Sequence, residues 1–246
     1  MANTHISFGQ AMDTGLDEKA QRADASTCIV SALNSHNSTT DCGIFAVAAG
    51  VGSKEGSNPQ KAAAIAIQNV AAAYSGVYTT ILADENSNTA KFSDSMLTMA
   101  QKANKAIQAF ASKEKSSDQA SLTAVMIFKN TAYLAHVGNT RAYMVNGKTV
   151  KQITHDQVKE DNKTLASALG QAADPEVECS SHPITPDTKF LLCSANLWNF
   201  ISEEHILKYL TEEPYAQQAC EKLVTFAKTN GAAEHVAAVV VYMPEA

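Results

Sequence analysis

The chain has few charged residues and no concentrated basic stretch. Of its 246 residues 18% are charged, and the 25 Asp and Glu outnumber the 19 Lys and Arg to give a net charge of -6. Because no Lys/Arg block is present to neutralise phosphates, a nucleic-acid partner is not expected. The chain shows neither a signal-peptide pattern nor a run of about 20 apolar residues that a membrane helix needs. We therefore expect a cytoplasmic protein that is neither secreted nor bound to a membrane.

Cysteine is too scattered for a disulfide framework. The chain has five cysteines, an odd number, at Cys28, Cys42, Cys179, Cys193 and Cys220. No C-x-x-C pair or His/Cys cluster occurs, so the sequence does not indicate a zinc site. No cysteine has a recognisable His partner motif, and we interpret Cys28 and Cys193, which lie in apolar runs, as small buried hydrophobic residues.

Signatures of several other enzyme classes are missing. Gly50, Gly52 and Gly56 precede a predicted helix, as the glycines of a nucleotide-phosphate loop do. That loop ends in Gly-Lys-Ser/Thr, whereas this one runs Ser53-Lys54-Glu55 and places an acid where a phosphate would approach. Neither a Gly-x-Ser-x-Gly elbow nor a His-Glu-x-x-His pair occurs. These motifs therefore give no catalytic assignment.

Strand-like and helix-like segments alternate in a way that predicts an α+β sandwich. Asn58 before Pro59 predicts a helix start, and Asn146-Gly147 predicts a two-residue hairpin turn. Strands are predicted at 5–8, 27–33, 44–48, 122–128, 132–137, 142–145, 150–153, 177–184, 189–193 and 236–242. Helices are predicted at 59–74, 93–112, 159–169, 203–210 and 215–229, with exposed loops at 34–41, 83–90 and 113–118. We find no internal repeat and predict a single domain over residues 1–246.

Four short segments, spread along the chain, carry the pattern that points to a function. They contain Ala49-Gly50, Gly138-Asn139-Thr140-Arg141, Ser194-Ala195-Asn196-Leu197-Trp198 and Glu234-His235. In order and spacing they resemble the motifs of the type 2C metal-dependent serine/threonine protein phosphatases, the PPM family. That resemblance spans essentially the whole chain. It implies a four-layer α-β-β-α sandwich with two central antiparallel sheets.

The chain departs from the family where the family places acids. The family has Asp at the positions of Ala49, Asn139 and Ala195, and Asp-Asn where this chain has Glu234-His235. Further departures fall near the start of the chain, where Lys19 replaces the phosphate-binding Arg and Ala23 replaces a Glu, while Asp24 is retained. The resemblance therefore leaves Asp24 and Glu234 as the remaining acids of the family's set.

The loss of acids leads to the prediction of an inactive family member. Family members use Mg²⁺ or Mn²⁺ held mainly by carboxylates, and Ala49 and Ala195 have no side-chain oxygen. We therefore predict that metal binding is lost, that no residue is catalytic or binds a cofactor, and that the chain is not an enzyme. On this hypothesis it is a pseudophosphatase, a regulatory module that binds unidentified protein partners through surfaces such as 102–115 or 34–41.

An alternative hypothesis keeps the activity. Asp24, Glu234, Asp156 and His235 supply carboxylate and imidazole ligands for a reduced or relocated metal site. Mixed ligands of this kind are chemically reasonable for Mn²⁺, Fe²⁺ or Zn²⁺. The chain would then be an active phosphoprotein phosphatase.

Overall fold

The computed structural model describes residues 5–16, 23–35, 38–52, 57–83, 89–161 and 164–244. Within these ranges the chain forms ten strands and five helices. The strands are β1 (Ser7–Asp13), β2 (Asp24–Ser35), β3 (Ser38–Val51), β4 (Gln119–Phe128), β5 (Thr131–Val137), β6 (Arg141–Asn146), β7 (Thr149–Gln152), β8 (Glu178–Pro183), β9 (Lys189–Cys193) and β10 (Val236–Tyr242). The helices are α1 (Pro59–Ala83), α2 (Thr89–Glu114), α3 (Ala195–Trp198), α4 (Glu203–Glu212) and α5 (Ala216–Thr229).

The strands form two antiparallel sheets of five strands each. One sheet has the order β1-β10-β9-β6-β7 and the other the order β2-β3-β4-β5-β8. Apolar side chains such as Phe45, Val125 and Phe190 fill the layer between the two sheets. The long helices α1 and α2 pack on the outer face of the second sheet, and α3 to α5 pack on that of the first. The predicted four-layer sandwich is therefore confirmed.

The two long helices follow from local signals. The side chain of Asn58 accepts a hydrogen bond from the backbone N–H of Lys61 at 3.0 Å, as an N-cap residue does. Helix α1 continues beyond the predicted end because Val77 and Ile81 extend its buried face. No helix in the described ranges is long and apolar enough to cross a membrane. The cytoplasmic location stays a prediction.

The predicted helix at 159–169 is wrong. Residues 162–163 lie outside the described ranges, and the rest of the segment is a series of turns with two isolated bridges. Leu169 exchanges two backbone hydrogen bonds with Ala120, at 2.9 and 3.0 Å, and Asp161 accepts the N–H of Thr164 at 2.8 Å. Leu165, Ala168 and Leu169 are buried although the segment is irregular. Their spacing in the sequence is the same as that of the buried face of a helix, which explains the wrong prediction.

The predicted loops also need correction. Most of the segment 34–41 belongs to strands, because β2 and β3 continue pairing as far as Ser35 and Ser38, with residues 36–37 outside the described ranges. Helix α1 ends at Ala83 and α2 begins at Thr89, so the predicted loop 83–90 reduces to residues 84–88, which are not described. At 113–118, α2 continues to Glu114.

Helix α5 covers the outer side of β1. The side-chain amide of Gln217 accepts the backbone N–H of Gln10 at 3.0 Å and donates to its carbonyl oxygen at 3.2 Å. The approach is close because residue 9 is glycine. A Cβ added to Gly9 would lie 2.4 Å from the backbone of Gln217. The helix therefore lies directly on the strand at this point.

Candidate functional site

The strand register brings the motif segments to one end of the sandwich. In one sheet Asp24 pairs with Ala49, and Ala49 pairs in turn with Ser121. In the other sheet Arg141 pairs with Cys193, directly before the turn that contains Ala195. Segments that are more than 20 residues apart in sequence therefore meet where the strands of the two sheets end.

Asp24 is the most unusual acid at this end. The residue is half-buried, and its Oδ2 atom is shielded from solvent without a hydrogen-bond partner. Burial raises the pKa of Asp24 to about 7, a hydrogen bond from Ser194 opposes the rise, and the nearby charge of Glu234 adds to it. Asp24 and Glu234 therefore form an interacting pair, called here the acid pair.

The turn after β9 connects to both members of the acid pair. The Oγ atom of Ser194 accepts the backbone N–H of Ala237 at 3.0 Å, and its hydroxyl bonds the Asp24 carboxyl. Two residues later, the Asn196 side chain donates to Glu234 Oε2 at 3.4 Å. Ala195, between them, is half-buried and begins α3. The turn thus holds both carboxyl groups while residue 195 itself contributes no oxygen from its side chain.

The turn after β5 depends on a close backbone approach. Gly138 has a φ of +101°, and a Cβ there would lie 2.2 Å from Ser121 Oγ. The same Oγ donates to Asn139 Oδ1 at 3.1 Å and accepts the Asn139 N–H at 3.3 Å. Asn139 is therefore committed to Ser121, which fixes its side chain in the turn.

Arg141 is the centre of a group of paired polar and aromatic side chains. Its Nε and Nη2 atoms donate to the two oxygens of Asp156 at 2.9 and 2.7 Å, and Nη1 donates to the Tyr143 hydroxyl at 2.9 Å. The guanidinium carbon lies 3.5 Å from the centroid of the Trp198 ring. Trp198 Nε1 donates to the carbonyl oxygen of Asn139 at 2.9 Å. We call Arg141, Tyr143, Asp156 and Trp198 the Arg141 cluster.

A buried network lies close to the Gly138 turn. Thr123 Oγ1 is 2.9 Å from His136 Nδ1 and 2.7 Å from Thr140 Oγ1, while His136 Nε2 is 3.1 Å from the carbonyl oxygen of Gly138. With the proton on Nε2, His136 donates to that carbonyl and accepts from Thr123. Burial lowers the pKa of His136, so the neutral ring is favoured. His136 is therefore a structural residue of the turn.

The structure brings some of the sequence-predicted site residues together and separates others. Asp24 and Glu234 interact, Ala49 lies beside Asp24, and Asp156 is engaged by Arg141. Lys19 falls outside the described ranges. Among the residues that the structure describes, no group of three or more His, Cys, Asp or Glu side chains forms a metal site. Within the described residues Asp156 and His235 do not join the acid pair in such a group, so Asp24 and Glu234 are the acids that the alternative hypothesis of an active phosphatase can use here.

Sequence reasoning missed Ser121 and Ser194 as parts of the site. Ser194 precedes Ala195 in a motif that resembles the family's, so its position was a usable signal. Ser121 has no local signal, because its contact with Asn139 depends on how β4 pairs with β3 and β5. The forked pair between Arg141 and Asp156 was likewise invisible in the sequence.

Comparison with known families now identifies the class of the protein. The model of the protein phosphatase 2C family matches residues 24–237, which is most of the chain. The chain belongs to the protein phosphatase 2C family. Its fold and its motif positions agree with a serine/threonine phosphatase domain of this type.

Particular relatives support this assignment. The serine/threonine phosphatase Stp of Listeria welshimeri is 25% identical over 138 residues, which cover 49% of this chain and 55% of the relative. The matched part thus spans about half the length of that relative. The phosphatase PstP/Ppp of Mycobacterium tuberculosis has a similar structure, with a TM-score of 0.77, 19% identity and coverage of 98% and 99% of the two chains. PppA of Pseudomonas aeruginosa gives a TM-score of 0.78 at 17% identity, with 99% and 100% covered.

Two predictions are corrected by these similarities. The chain was predicted not to be an enzyme, but the matching family and the relative from Listeria are phosphatases. It was also predicted to have no metal cofactor. A catalytic domain of PstP with the same fold, with a TM-score of 0.76, 20% identity and coverage of 98% and 99%, was solved in complex with two manganese ions. The prediction of an inactive, metal-free module is therefore wrong by these comparisons.

Proposed function

We propose that this chain is a phosphoserine/phosphothreonine phosphatase domain that works with a reduced metal site at Asp24 and Glu234. The observation that carries the proposal is the buried Asp24 Oδ2 atom, which has no hydrogen-bond partner and lies near a second carboxylate. A divalent cation would neutralise both groups and satisfy the unpaired oxygen. A cation would thus supply the positive charge and the oxygen contact that the acid pair lacks.

The residues present suit one cation better than two. Ala49 and Ala195 occupy the positions where the family has Asp, and neither can ligate a metal. Mg²⁺ commonly keeps several waters and is bound in enzymes by one or two carboxylates together with substrate phosphate. Two carboxylates therefore suffice for a cation that substrate binding completes. When bound, such a cation supplies charge for the phosphoryl oxygens and an activated water.

The protein residues around the acid pair hold and orient it. The Ser194 hydroxyl bonds Asp24, and the amide of Asn196 bonds Glu234, so each carboxyl group is held in place by the turn before α3. Without a cation, about half of the Asp24 carboxyl groups hold a proton at neutral pH, because burial raises the pKa of Asp24 to about 7. A cation held by Asp24 and Glu234 would take the place of that proton.

The proposed substrate is a phosphorylated serine or threonine side chain of another protein. This choice is supported by the family match and by the names of the relatives, which are serine/threonine phosphatases. The protein partner would then be the substrate itself. The existence of a protein partner stays a prediction, as does the extent of the domain over residues 1–246.

The test is cation binding and phosphate release by the unmodified chain. After treatment with chelator, titration with Mn²⁺ in a calorimeter is expected to give about one cation per chain. Phosphate release from a phosphothreonine peptide is expected to require added Mn²⁺ and to be lost in Asp24→Asn and Glu234→Gln. The exposed acid Asp94 on α2 provides the matched control, and Asp94→Asn is expected to behave as the unmodified chain does. Absence of both binding and phosphate release would reject the proposal.

A further inference from the structure

The Arg141 cluster joins two segments that carry site motifs. Trp198 is the last residue of α3, which begins at Ala195, and its indole N–H donates to the Asn139 carbonyl at 2.9 Å. The flat face of the Arg141 guanidinium packs on the same indole ring at 3.5 Å. Arg141 therefore supports a side chain that ties α3 to the turn at Asn139.

The guanidinium itself is held on its edges. Asp156 accepts hydrogen bonds from Nε and Nη2, and the Tyr143 hydroxyl accepts from Nη1. Gln152 in turn donates to Asp156 at 3.2 Å and to the Thr154 carbonyl at 2.9 Å. Because each of its three nitrogens donates to an acceptor and only 21% of its side chain is exposed, Arg141 presents its face to the indole in one orientation.

The consequence reaches the acid pair through α3 and the residue before it. Ser194 bonds Asp24 and Asn196 bonds Glu234, and both residues are within four positions of Trp198. If the indole moves, this short segment moves with it, because α3 comprises only Ala195–Trp198. A shift of the indole would therefore reach the contacts that Ser194 and Asn196 make with the two carboxyl groups.

We propose that Arg141 is a positioning residue that sets the acid pair by fixing Trp198 against Asn139. This inference deepens the proposed function, and its catalytic consequence rests on that function. A misplacement of about 1 Å at reacting groups lowers turnover on the order of 100-fold. Because Arg141 acts through α3, its removal is expected to lower kcat by about 10- to 100-fold and to change KM much less.

The chain offers a direct reporter for this arrangement, because Trp198 is its sole tryptophan. The indole N–H gives a single signal in a ¹H–¹⁵N spectrum, and its hydrogen exchange measures the bond to the Asn139 carbonyl. In Arg141→Ala the exchange is expected to accelerate on the order of tenfold. Added ethylguanidinium is expected to slow the exchange again and to restore part of kcat. Arg141→Lys keeps the charge but not the fork, and is expected to remain impaired.

A matched control comes from the far end of the strand that leads to Ser194. Lys189 begins β9, lies 4.3 Å from the Tyr242 ring centroid and donates to the Leu210 carbonyl at 2.6 Å. Lys189→Met also removes a cation from an aromatic face and lowers stability. It is expected to leave indole exchange and kcat unchanged. If Lys189→Met changed indole exchange and kcat as much as Arg141→Ala does, the effect would be a general loss of stability. That result would reject a positioning role for Arg141.

The outcomes separate this inference from the proposed function. If the unmodified chain releases phosphate, and Arg141→Ala accelerates exchange without lowering kcat, the positioning role is rejected while the function stands. If the unmodified chain releases none, the proposed function fails, and the assignment of Arg141 depends on the exchange alone. Unchanged exchange in Arg141→Ala rejects the assignment in either case.

Discussion

The acid pair and the Arg141 cluster lie at the same end of the sandwich, yet their polar groups are bonded to very different degrees. In the cluster, each guanidinium nitrogen of Arg141 has an acceptor at 2.7 to 2.9 Å. In the acid pair, Asp24 Oδ2 is buried without a partner, and the bond from Asn196 to Glu234 is 3.4 Å long. The hydrogen bonding of the Arg141 cluster is therefore satisfied within the protein, and that of the acid pair is not.

The difference lies in the acid groups and not in the scaffold around them. The turns and the scaffold at Gly138 and Ser194 are supported by short hydrogen bonds and close backbone contacts. We propose that Ala49 and Ala195 stand where the family has acids, and that the strands and the turn that carry these positions are kept. The Asp24 carboxyl, whose Oδ2 atom is buried without a partner, depends on a proton or a cation for neutralisation.

Restoring the missing acids is expected to have the largest effect. Ala49 pairs directly with Asp24 across two strands, so an Asp at 49 places a new carboxylate beside it. We expect Ala49→Asp combined with Ala195→Asp to raise Mn²⁺-dependent kcat/KM on the order of 100-fold, because a second cation then has ligands. Phosphopeptide hydrolysis measures the change. An equal rate in the double variant and the unmodified chain would show that these positions do not limit the site.

The titration of Asp24 gives the second prediction. Its folded pKa is about 7 against an ordinary 3.8, so the folded state holds a proton that the unfolded state has released. The stabilisation it provides is complete below pH 3.8 and is lost as the pH rises through 7. We expect the metal-free chain to lose about 2 to 3 kcal/mol between pH 5 and 8 relative to Asp24→Asn, measured by urea unfolding. Asp94→Asn is the control, and its loss is expected to match that of the unmodified chain.

Replacement of the indole gives a smaller effect, on the complete part of the site. Trp198→Phe removes the hydrogen bond to Asn139 and weakens the contact with Arg141. We expect a loss of about 1 to 2 kcal/mol in the free energy of unfolding. Tyr215→Phe is the control, because 64% of this residue is exposed, and it is expected to change little. A loss no larger than that of the control would contradict the importance of the indole.

Cation binding is expected to give the smallest change. At about ten times its dissociation constant, Mn²⁺ stabilises the folded chain by about 1.4 kcal/mol. The melting temperature is therefore expected to rise by a few degrees in the unmodified chain and to stay constant in Asp24→Asn. Differential scanning fluorimetry measures both. An unchanged melting temperature in the unmodified chain would remove the acid pair as a cation site.

Local signals predicted much of the fold. Asn58 caps α1, and Asn146-Gly147 joins β6 to β7, because each signal depends on the conformation of a few adjacent residues. The predicted helix at 159–169 is wrong because a local signal takes no account of distant partners. Its apolar spacing matched a helix, while its real partner is Ala120, which lies far away in sequence.

The candidate site was predictable only in part. The motif resemblance pointed to Ala49, Asn139, Ala195, Asp24 and Glu234, which the structure places at one end of the sandwich. The sequence did not show that Asp156 binds Arg141, since that pair forms across 15 residues that include a hairpin. Nor did it show that the Oδ2 atom of Asp24 is shielded from solvent, because that depends on how the neighbouring segments pack. Inference from missing acids alone then led to the wrong prediction of an inactive chain.

The side chain of Gln217 supplies hydrogen bonds to the backbone of β1, which is an edge strand. An outermost strand normally offers free N–H and C=O groups to any passing chain, which invites aggregation. At Gln10 both groups are already engaged by one amide. A neighbouring molecule that tried to add a strand here would first have to displace that amide and the helix that carries it. The amide of Gln217 thus blocks the addition of a strand at this point of β1.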